Sequence, residues 1–416
     1  MLRRAFVLLL GALAVTGCGG QSGRQTGSYQ PLPAPVAANQ PVVTAAPNRV
    51  AILLPLTGPR ADVGQALLQA ARLALATPGS PALDVRDTAG SPDSAAIAAR
   101  SAIAEGSRLI LGPLTSAETA SVAPVARNAG VPVLAFTNDA AQTQPGVWVM
   151  GITPVQQIRR LVAAAAAQGK TEFAALLPDN DFGRALSTAL QQATALAGLS
   201  EADIHIHTPG MSGITGATRE LSDYGNRRGP VDAQIKAARA LGTAEGRRQA
   251  AELAKTQIPP PKFNVLLLGD TGDELAGIAA VLPYYDIDRH AVQIIGPALW
   301  ASPNSGAGEL PGAWYAAPDP ASREGFEQDY VSRFNVRPLP LADLAFDAAS
   351  IARLSAEGGG ISVRGMTQPA GFQLADGWIG LLPDGQVRRG LAVFRIERGG
   401  PAMIEPAPQS ASAPGS

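Results

Sequence analysis

The chain has 416 residues, 33 basic and 34 acidic side chains, a net charge of −1 and only 16% charged residues. That balance excludes the basic face of a nucleic-acid binder. One cysteine, Cys18, excludes a disulfide framework, and three histidines leave little for a metal centre.

In chain order, Arg3 and Arg4 precede the apolar run AFVLLLGALAVT, Ala5 to Thr16. The run is long enough for a signal-peptide core and short for a bilayer span. Val15-Thr16-Gly17-Cys18 resembles the lipobox of bacterial lipoproteins. The resemblance implies that residues 1–17 are a signal peptide and that the Cys18 thiol is acylated, which attaches the chain to a lipid bilayer. An ordinary signal peptide with an incidental cysteine is the alternative. Residues 18–47, rich in Gly, Ser, Gln, Pro and Ala, read as a lipidated flexible tether. Extended at about 3.1 Å per residue, such a tether reaches roughly 90 Å.

The body follows from Arg49. RVAILLP (Arg49–Pro55) reads as a strand buried on both faces. Asp62 opens a helix carrying Leu67, Leu68, Ala71 and Leu75 at helical spacing. LDVRD, RLILG and VPVLAF read as further strands, separated by helices that begin at Ser91-Pro92 and at Ala117. The rhythm restarts after Thr153-Pro154 with a helix near Val155–Gln168, then strands EFAALLP, DIHIH, NVLLLG and VQIIG. Such alternation predicts an α/β fold with parallel sheets covered by helices. A body of about 350 residues exceeds one ordinary core and predicts two lobes. The cleft between them lies at the carboxyl ends of the strands. PAPQSASAPGS, residues 406–416, reads as a disordered tail.

Three stretches, RVAILLPLTGPRADVGQALLQAARLAL, LILGPLTSAETASVAPVARNAGVPVLAFTND and ALLPDNDFGRAL, resemble type I periplasmic binding proteins of the leucine/isoleucine/valine-binding family. DGWIGLLPDGQVRRGLAVFRIERGG resembles that family's closing hairpin. Within the family, VLPYYDIDRHAVQIIGPALW and AWYAAPDPASREGFEQDYVSRF are similar to the penicillin-binding-protein activator lipoproteins. The resemblance implies a two-lobed type I fold, each lobe a mainly parallel sheet flanked by helices, joined by three crossings that form a hinge. Placed near Thr153, Pro297 and Phe372, the crossings give a first lobe of 49–153 plus 298–371 and a second of 154–297 plus 372–405.

The resemblance also implies where a ligand sits. In amino-acid binders of the family, a serine after the third strand and groups after the fourth hold the ligand carboxylate. Ser116 matches the first position. Either Thr115 or Ser116 also serves as the cap of the helix that follows. Thr137, Asn138 and Asp139 stand at the second position, where Asp139 would repel a carboxylate. Phe182 stands where many members carry an aromatic hydroxyl, and keeps only the stacking face. Family members often carry an acid for the ligand ammonium after VQIIG, but here the residues are Pro297, Ala298 and Leu299. Asp270 either substitutes for that acid or caps the helix that begins near Gly272.

The polar stretch of about 208–262 departs most from the family pattern. VDAQIKAARALGTAEGRRQAAELAKTQ reads as one helix, or two broken at Gly242 or Gly246. It is locally basic, with Arg219, Arg227, Arg228, Arg247 and Arg248. It reads as a solvated cover of the second lobe or as a docking surface for a membrane partner.

No enzyme motif emerges: there is no Gly-x-Ser-x-Gly elbow and no GxxxxGK loop. His205 and His207 share a strand face, and Asp179 with Asp181, or Asp270 with Asp273 and Glu274, read as caps and loop acids. No catalytic residue, metal or cofactor is expected. The expected role is a non-enzymatic periplasmic lipoprotein. As an activator it would contact a peptidoglycan synthase; the resemblance implies the outer membrane, and Gly19 after the cysteine is not the aspartate that signals inner-membrane retention. The alternative is the solute-binding component of an ABC importer, partnered by a permease and carrying an amino acid or small polar ligand.

Overall fold

The computed structural model describes residues 48–410. The signal peptide, Cys18 and the tether expected over 18–47 lie outside the described residues, as do residues 411–416.

The chain opens with β1 (Arg49–Leu54), α1 (Ala61–Ala74), β2 (Ala82–Asp87), α2 (Pro92–Ala104), β3 (Ile110–Leu111), α3 (Ser116–Asn128), β4 (Val133–Ala135) and β5 (Val147–Val149). These five strands form one parallel sheet in the order β2-β1-β3-β4-β5. Every residue of β1 from Val50 to Leu54 is fully buried, because helices cover both sheet faces. Val50, Ile52 and Leu54 point into a core shared with Leu67, Leu68 and Ala71 of α1. Ala51 and Leu53 point the other way, onto alanines of α2 and α3 such as Ala95, Ala99 and Ala123. Burying each such Leu, Ile or Val contributes about 1.5–3 kcal/mol.

The second unit follows with α4 (Pro154–Ala167), β6 (Phe173–Pro178), α5 (Asp181–Leu196), β7 (Asp203–His207), α6 (Met211–Leu221), α7 (Tyr224–Ala240) and α8 (Ala244–Ala254). Then come β8 (Val265–Leu268), α9 (Gly272–Val281), β9 (Gln293–Gly296) and β10 (Trp314–Ala317). The same alternation recurs here. Leu176, Leu266 and Leu268 face α6 and α9, whereas Leu177, Val265 and Leu267 face α4 and α5.

The chain continues through α10 (Pro320–Phe334), α11 (Ala342–Glu357), α12 (Val363–Met366), β11 (Phe372–Leu374), β12 (Gly377–Leu381), β13 (Val387–Arg389), β14 (Ala392–Glu397) and β15 (Gly400–Glu405). Phe326 and Tyr330 of α10 and Ala345, Ala348 and Ile351 of α11 belong to the core of the first sheet. The antiparallel sheet β11-β12-β13 packs there too, through Phe372, Ile379 and Leu381. β14 and β15 complete the second sheet, ordered β15-β14-β10-β9-β8-β6-β7.

Two expected crossings move. β10 pairs in parallel with β9 and antiparallel with β14, so the chain stays in the second lobe to Ala317 rather than leaving at Pro297. The third crossing lies after Arg389, not at Phe372, because β11 to β13 bury their apolar side chains in the first lobe. The first passage falls between β5 and α4, where Thr153 caps α4 in a capping box with Gln156. Residues 406 and 407, expected to open the disordered tail, pack on the second lobe. Ala407 is buried, and Arg160 donates to the Pro406 carbonyl at 3.2 Å.

Candidate functional site

A cleft of about 2370 Å³ opens between the two lobes. Thr115, Ser116, Thr137, Asn138 and Asp139 line it from the first lobe, and Phe182 lines it from the second. Asp270 is not among its lining residues.

Local chemistry fixes the first wall. Thr115 is the cap of α3: its hydroxyl accepts from the Glu118 N–H, while the Glu118 carboxylate accepts from the Thr115 N–H at 3.1 Å. Glu118 is wholly buried and also accepts from the Thr88 hydroxyl at 2.5 Å. Ser116 is thereby free of capping, and its hydroxyl donates to Asp139 instead. Asp139 further accepts from the Ala141 N–H at 3.0 Å and from Gln142 Nε2 at 3.2 Å. Burial pushes its carboxyl up, but the bonds from Ser116, Ala141 and Gln142 outweigh burial and hold it below the ordinary carboxylate range. Thr137 orients the turn by accepting the Asp139 N–H at 3.1 Å. The chain's own ionised carboxylate therefore occupies the serine that would otherwise meet a ligand carboxylate.

The second wall is built from α4, α5 and the strand ends. Asn180 caps α5 by accepting the Gly183 N–H at 2.8 Å. A Cβ on Gly183 would lie 2.0 Å from the Pro178 carbonyl oxygen, so only glycine lets the helix start so close to β6. That tight start places Phe182 at the cleft. Ala298 and Leu299 line the cleft in place of an acid, and Tyr315 and Phe394, which also line it, stack with ring centroids 5.3 Å apart. Arg184 pairs with Asp179 at 3.4 Å and with Asp181 at 2.5 Å.

Asp270 takes neither expected role. Its carboxylate meets His207 Nε2 at 3.0 Å, and its carbonyl accepts from Trp300 Nε1 at 2.9 Å. Thr271, not Asp270, precedes α9, and it makes no side-chain cap bond. His207 Nδ1 faces the Thr208 carbonyl at 3.1 Å, so both ring nitrogens face oxygen acceptors. Burial lowers the His207 pKa, but the Asp270 hydrogen bond and charge prevail and raise it. Glu274 lies within 4.8 Å of both, making a group that a metal ion could bridge. The direct His207–Asp270 contact instead closes it as an ion pair. His205 turns to Asp203 at 3.1 Å.

Sequence reasoning passed over two features. Arg159 on α4 lines the cleft and makes no hydrogen bond or ion pair among the described residues. Its neighbour Arg160 is buried, bonded to the Leu391 carbonyl at 2.8 Å and paired with Glu405 at 2.9 Å. The pair IRR carries no signal that distinguishes the two; only helix phase does. The second feature is a buried cluster of Asp343, Asp347, Asp376 and Arg389 beside the crossings. The spacing of Asp343 and Asp347 on one helix face was its available signal.

A sequence profile described as periplasmic binding protein matches residues 47–400. An uncharacterized Rickettsia prowazekii protein, RP748, is 26% identical over 175 residues, which span 42% of this chain and 47% of that protein. Among solved structures, a Rhodospirillum rubrum protein assigned to a branched-chain amino acid ABC transporter superposes with a TM-score of 0.65 at 18% identity, over 86% of this chain and all (100%) of that one. The C-domain of LpoA from Haemophilus influenzae, described as a regulator of PBP1A, gives 0.60 at 15% identity, over 86% and 100%. The fold is that of type I periplasmic binding proteins, with parallel sheets flanked by helices on either side of a cleft. The chain belongs to the periplasmic binding protein family.

Proposed function

We propose that this protein is a non-enzymatic, lipid-anchored periplasmic regulator that contacts a peptidoglycan synthase through the helical hairpin α7–α8. The hairpin is the observation that carries this reading. It stands on a small core of its own, Ile235, Ala238 and Ala250. Between Tyr224 and Ala254 it holds six basic and three acidic side chains, within a chain of net charge −1. Its turn presents Leu241 at 62% exposure. An exposed apolar tip flanked by arginines suits a partner surface that is acidic around an apolar pocket. The fold shared with the LpoA C-domain supports the reading, and acylation of Cys18 with the tether of 18–47 supplies its reach.

The test is in-cell crosslinking of the tagged protein with partners identified by mass spectrometry. A peptidoglycan synthase should be recovered, and lost when Tyr224–Ala254 is replaced by a short linker or Cys18 by serine. A second reading, the solute-binding component of an ABC importer, is favoured by the open cleft between the lobes. Recovery of a permease with its ATPase and no synthase would establish it in place of the first.

A further inference from the structure

Three ligating side chains meet at one end of the second sheet, outside the cleft. His207 closes β7, Asp270 follows β8, and Glu274 stands in the first turn of α9. One donor atom from each, a ring nitrogen and two carboxylate oxygens, lie within 4.8 Å of one another.

The imidazole is presented as a metal-bound imidazole is. Its Nδ1 faces the Thr208 carbonyl at 3.1 Å, which fixes the ring and directs Nε2 at Asp270, 3.0 Å away. A tetrahedral zinc ion, with bonds of about 2.0–2.2 Å, holds neighbouring nitrogen and oxygen donors about 3.3 Å apart. The His207–Asp270 separation is already close to that. Glu274 is partly exposed and accepts the Gly210 N–H at 3.3 Å, so its side chain has the freedom to close the remaining distance. The loop that carries Asp270 is fixed independently: Trp300 Nε1 donates to the Asp270 carbonyl at 2.9 Å, and the Gly272 N–H donates to the Ser305 carbonyl at 2.6 Å. No arginine or lysine among the described residues pairs with either carboxylate. The ion pair with His207 answers the charge of Asp270 and leaves that of Glu274. A divalent ion with a neutral imidazole answers both.

We propose that His207, Asp270 and Glu274 bind one divalent transition-metal ion of the zinc class, with water in the fourth position. The ion takes the place of the proton between His207 and Asp270, and that proton leaves to solvent. The ion pair is the metal-free state of the same site. Glu274 already holds the N–H of Gly210, the residue that precedes α6, so the ion clamps the base of the insert that carries the α7–α8 hairpin. The site goes beyond the partner reading and stands or falls without it.

Zinc titration of the purified full-length protein tests it, with no affinity tag, after EDTA treatment and in competition with a chromophoric chelator. One equivalent of zinc should bind with micromolar or tighter affinity, and magnesium, which prefers oxygen donors alone, should not compete at millimolar concentration. Glu274→Gln should weaken zinc by about tenfold or more, and His207→Ala should abolish binding. His205→Ala removes an imidazole that faces Asp203 and should leave binding unchanged. Zinc should raise the thermal midpoint of wild type and not that of Glu274→Gln. Glu274→Gln keeps the His207–Asp270 pair, so it decides the matter if His207→Ala fails to fold. The proposal is overturned if no equivalent of zinc binds at millimolar concentration. It is equally overturned if magnesium binds as tightly, or if zinc binding is indifferent to residues 207 and 274.

Discussion

Two side chains, Ser116 and Asp139, decide what the first wall of the cleft can hold. Thr115 and Ser116 at the start of α3 line the cleft, and the start of a helix favours an anion. In this chain the anion is internal: Asp139 stays ionised because Ser116, Ala141 and Gln142 all donate to it. On the second wall Ala298 and Leu299 offer an ammonium no carboxylate, and Asp270 is committed to His207. Leucine would meet repulsion at one end and an unpaired, desolvated cation at the other. Titration with leucine is therefore expected to give no saturable heat at millimolar concentration, and a micromolar affinity would contradict this account. The hazard posed by Asp139 was legible in the sequence. Its hydrogen bond to Ser116, across 23 residues, was not, because it depends on how the turn after β4 meets the start of α3. The same limit hid the fate of Asp270, whose partner His207 lies 63 residues away at the end of β7, two strands across the sheet from β8.

Elements with strong periodicity were legible, and the exceptions are instructive. β1, β6, β8 and the helices between them follow the alternation of apolar runs and helical spacing. The polar insert became helices α6, α7 and α8, with the α7–α8 break at Gly242, whose φ of 67° ends a helix without strain. Gly246 instead lies inside α8, where a Cβ would sit 2.4 Å from the Ala238 carbonyl oxygen, so it permits the close packing of the hairpin. β10 escaped because four residues, WYAA, carry no period of their own; its pairing with β9 and β14 makes it a strand. The hairpin is held to the lobe largely by Arg227, which donates to the carbonyls of Ser222 at 2.7 Å, Pro259 at 2.9 Å and Tyr285 at 2.8 Å. With so small a core, α7 and α8 should exchange their amide hydrogens well before β6 and β8, by about tenfold or more. Arg227→Ala removes charged hydrogen bonds worth about 1.5–3 kcal/mol each. It should speed exchange in α7 and leave the β6 and β8 amides unchanged. Uniform acceleration across both regions would mean that the hairpin unfolds only with the whole lobe.

At the scale of the molecule, a buried charge cluster of the first lobe lies beside the points where the chain crosses between the lobes. Arg389, buried just before the third crossing, donates to the Met150 carbonyl at 2.6 Å, just before the first, and to Asp376 at 3.1 Å. Arg323, on the helix that follows the second crossing, pairs with Asp343 at 2.7 Å. Asp347 completes the group by accepting the Ala375 N–H at 2.8 Å and the Asp376 N–H at 3.3 Å. Three carboxyl groups thus share two guanidinium groups, and one proton balances them. Burial first, then repulsion from Asp376, pushes Asp343 and Asp347 up to about 8, against the pull of Arg323 and Arg389 respectively. A carboxyl raised in this way keeps its proton in the folded state while the unfolded chain has released it. Stability must therefore fall as pH rises from the unfolded value of 3.8 to about 8. The slope for one retained proton is about 1.4 kcal/mol per pH unit. His207 acts in the same direction: its stabilisation is complete below 6.5 and is lost as pH rises through its raised folded pKa. The thermal midpoint should accordingly decline from about pH 5 to about pH 8, and the decline should be shallower in Asp347→Asn, which cannot release that proton. Parallel slopes for wild type and variant would show that the retained proton sits elsewhere in the cluster. Removing Arg389 strikes the same cluster without reference to pH: Arg389→Met leaves Asp376 buried with only Arg323, at 3.8 Å, as its cation and should cost about 3 kcal/mol in urea unfolding. The cluster lies in the first lobe, and Gln156 Nε2 of α4 in the second donates across to the Val387 carbonyl at 2.8 Å, so the loss is expected to spread to both lobes in one transition. Two separated transitions would show that each lobe stands without the other.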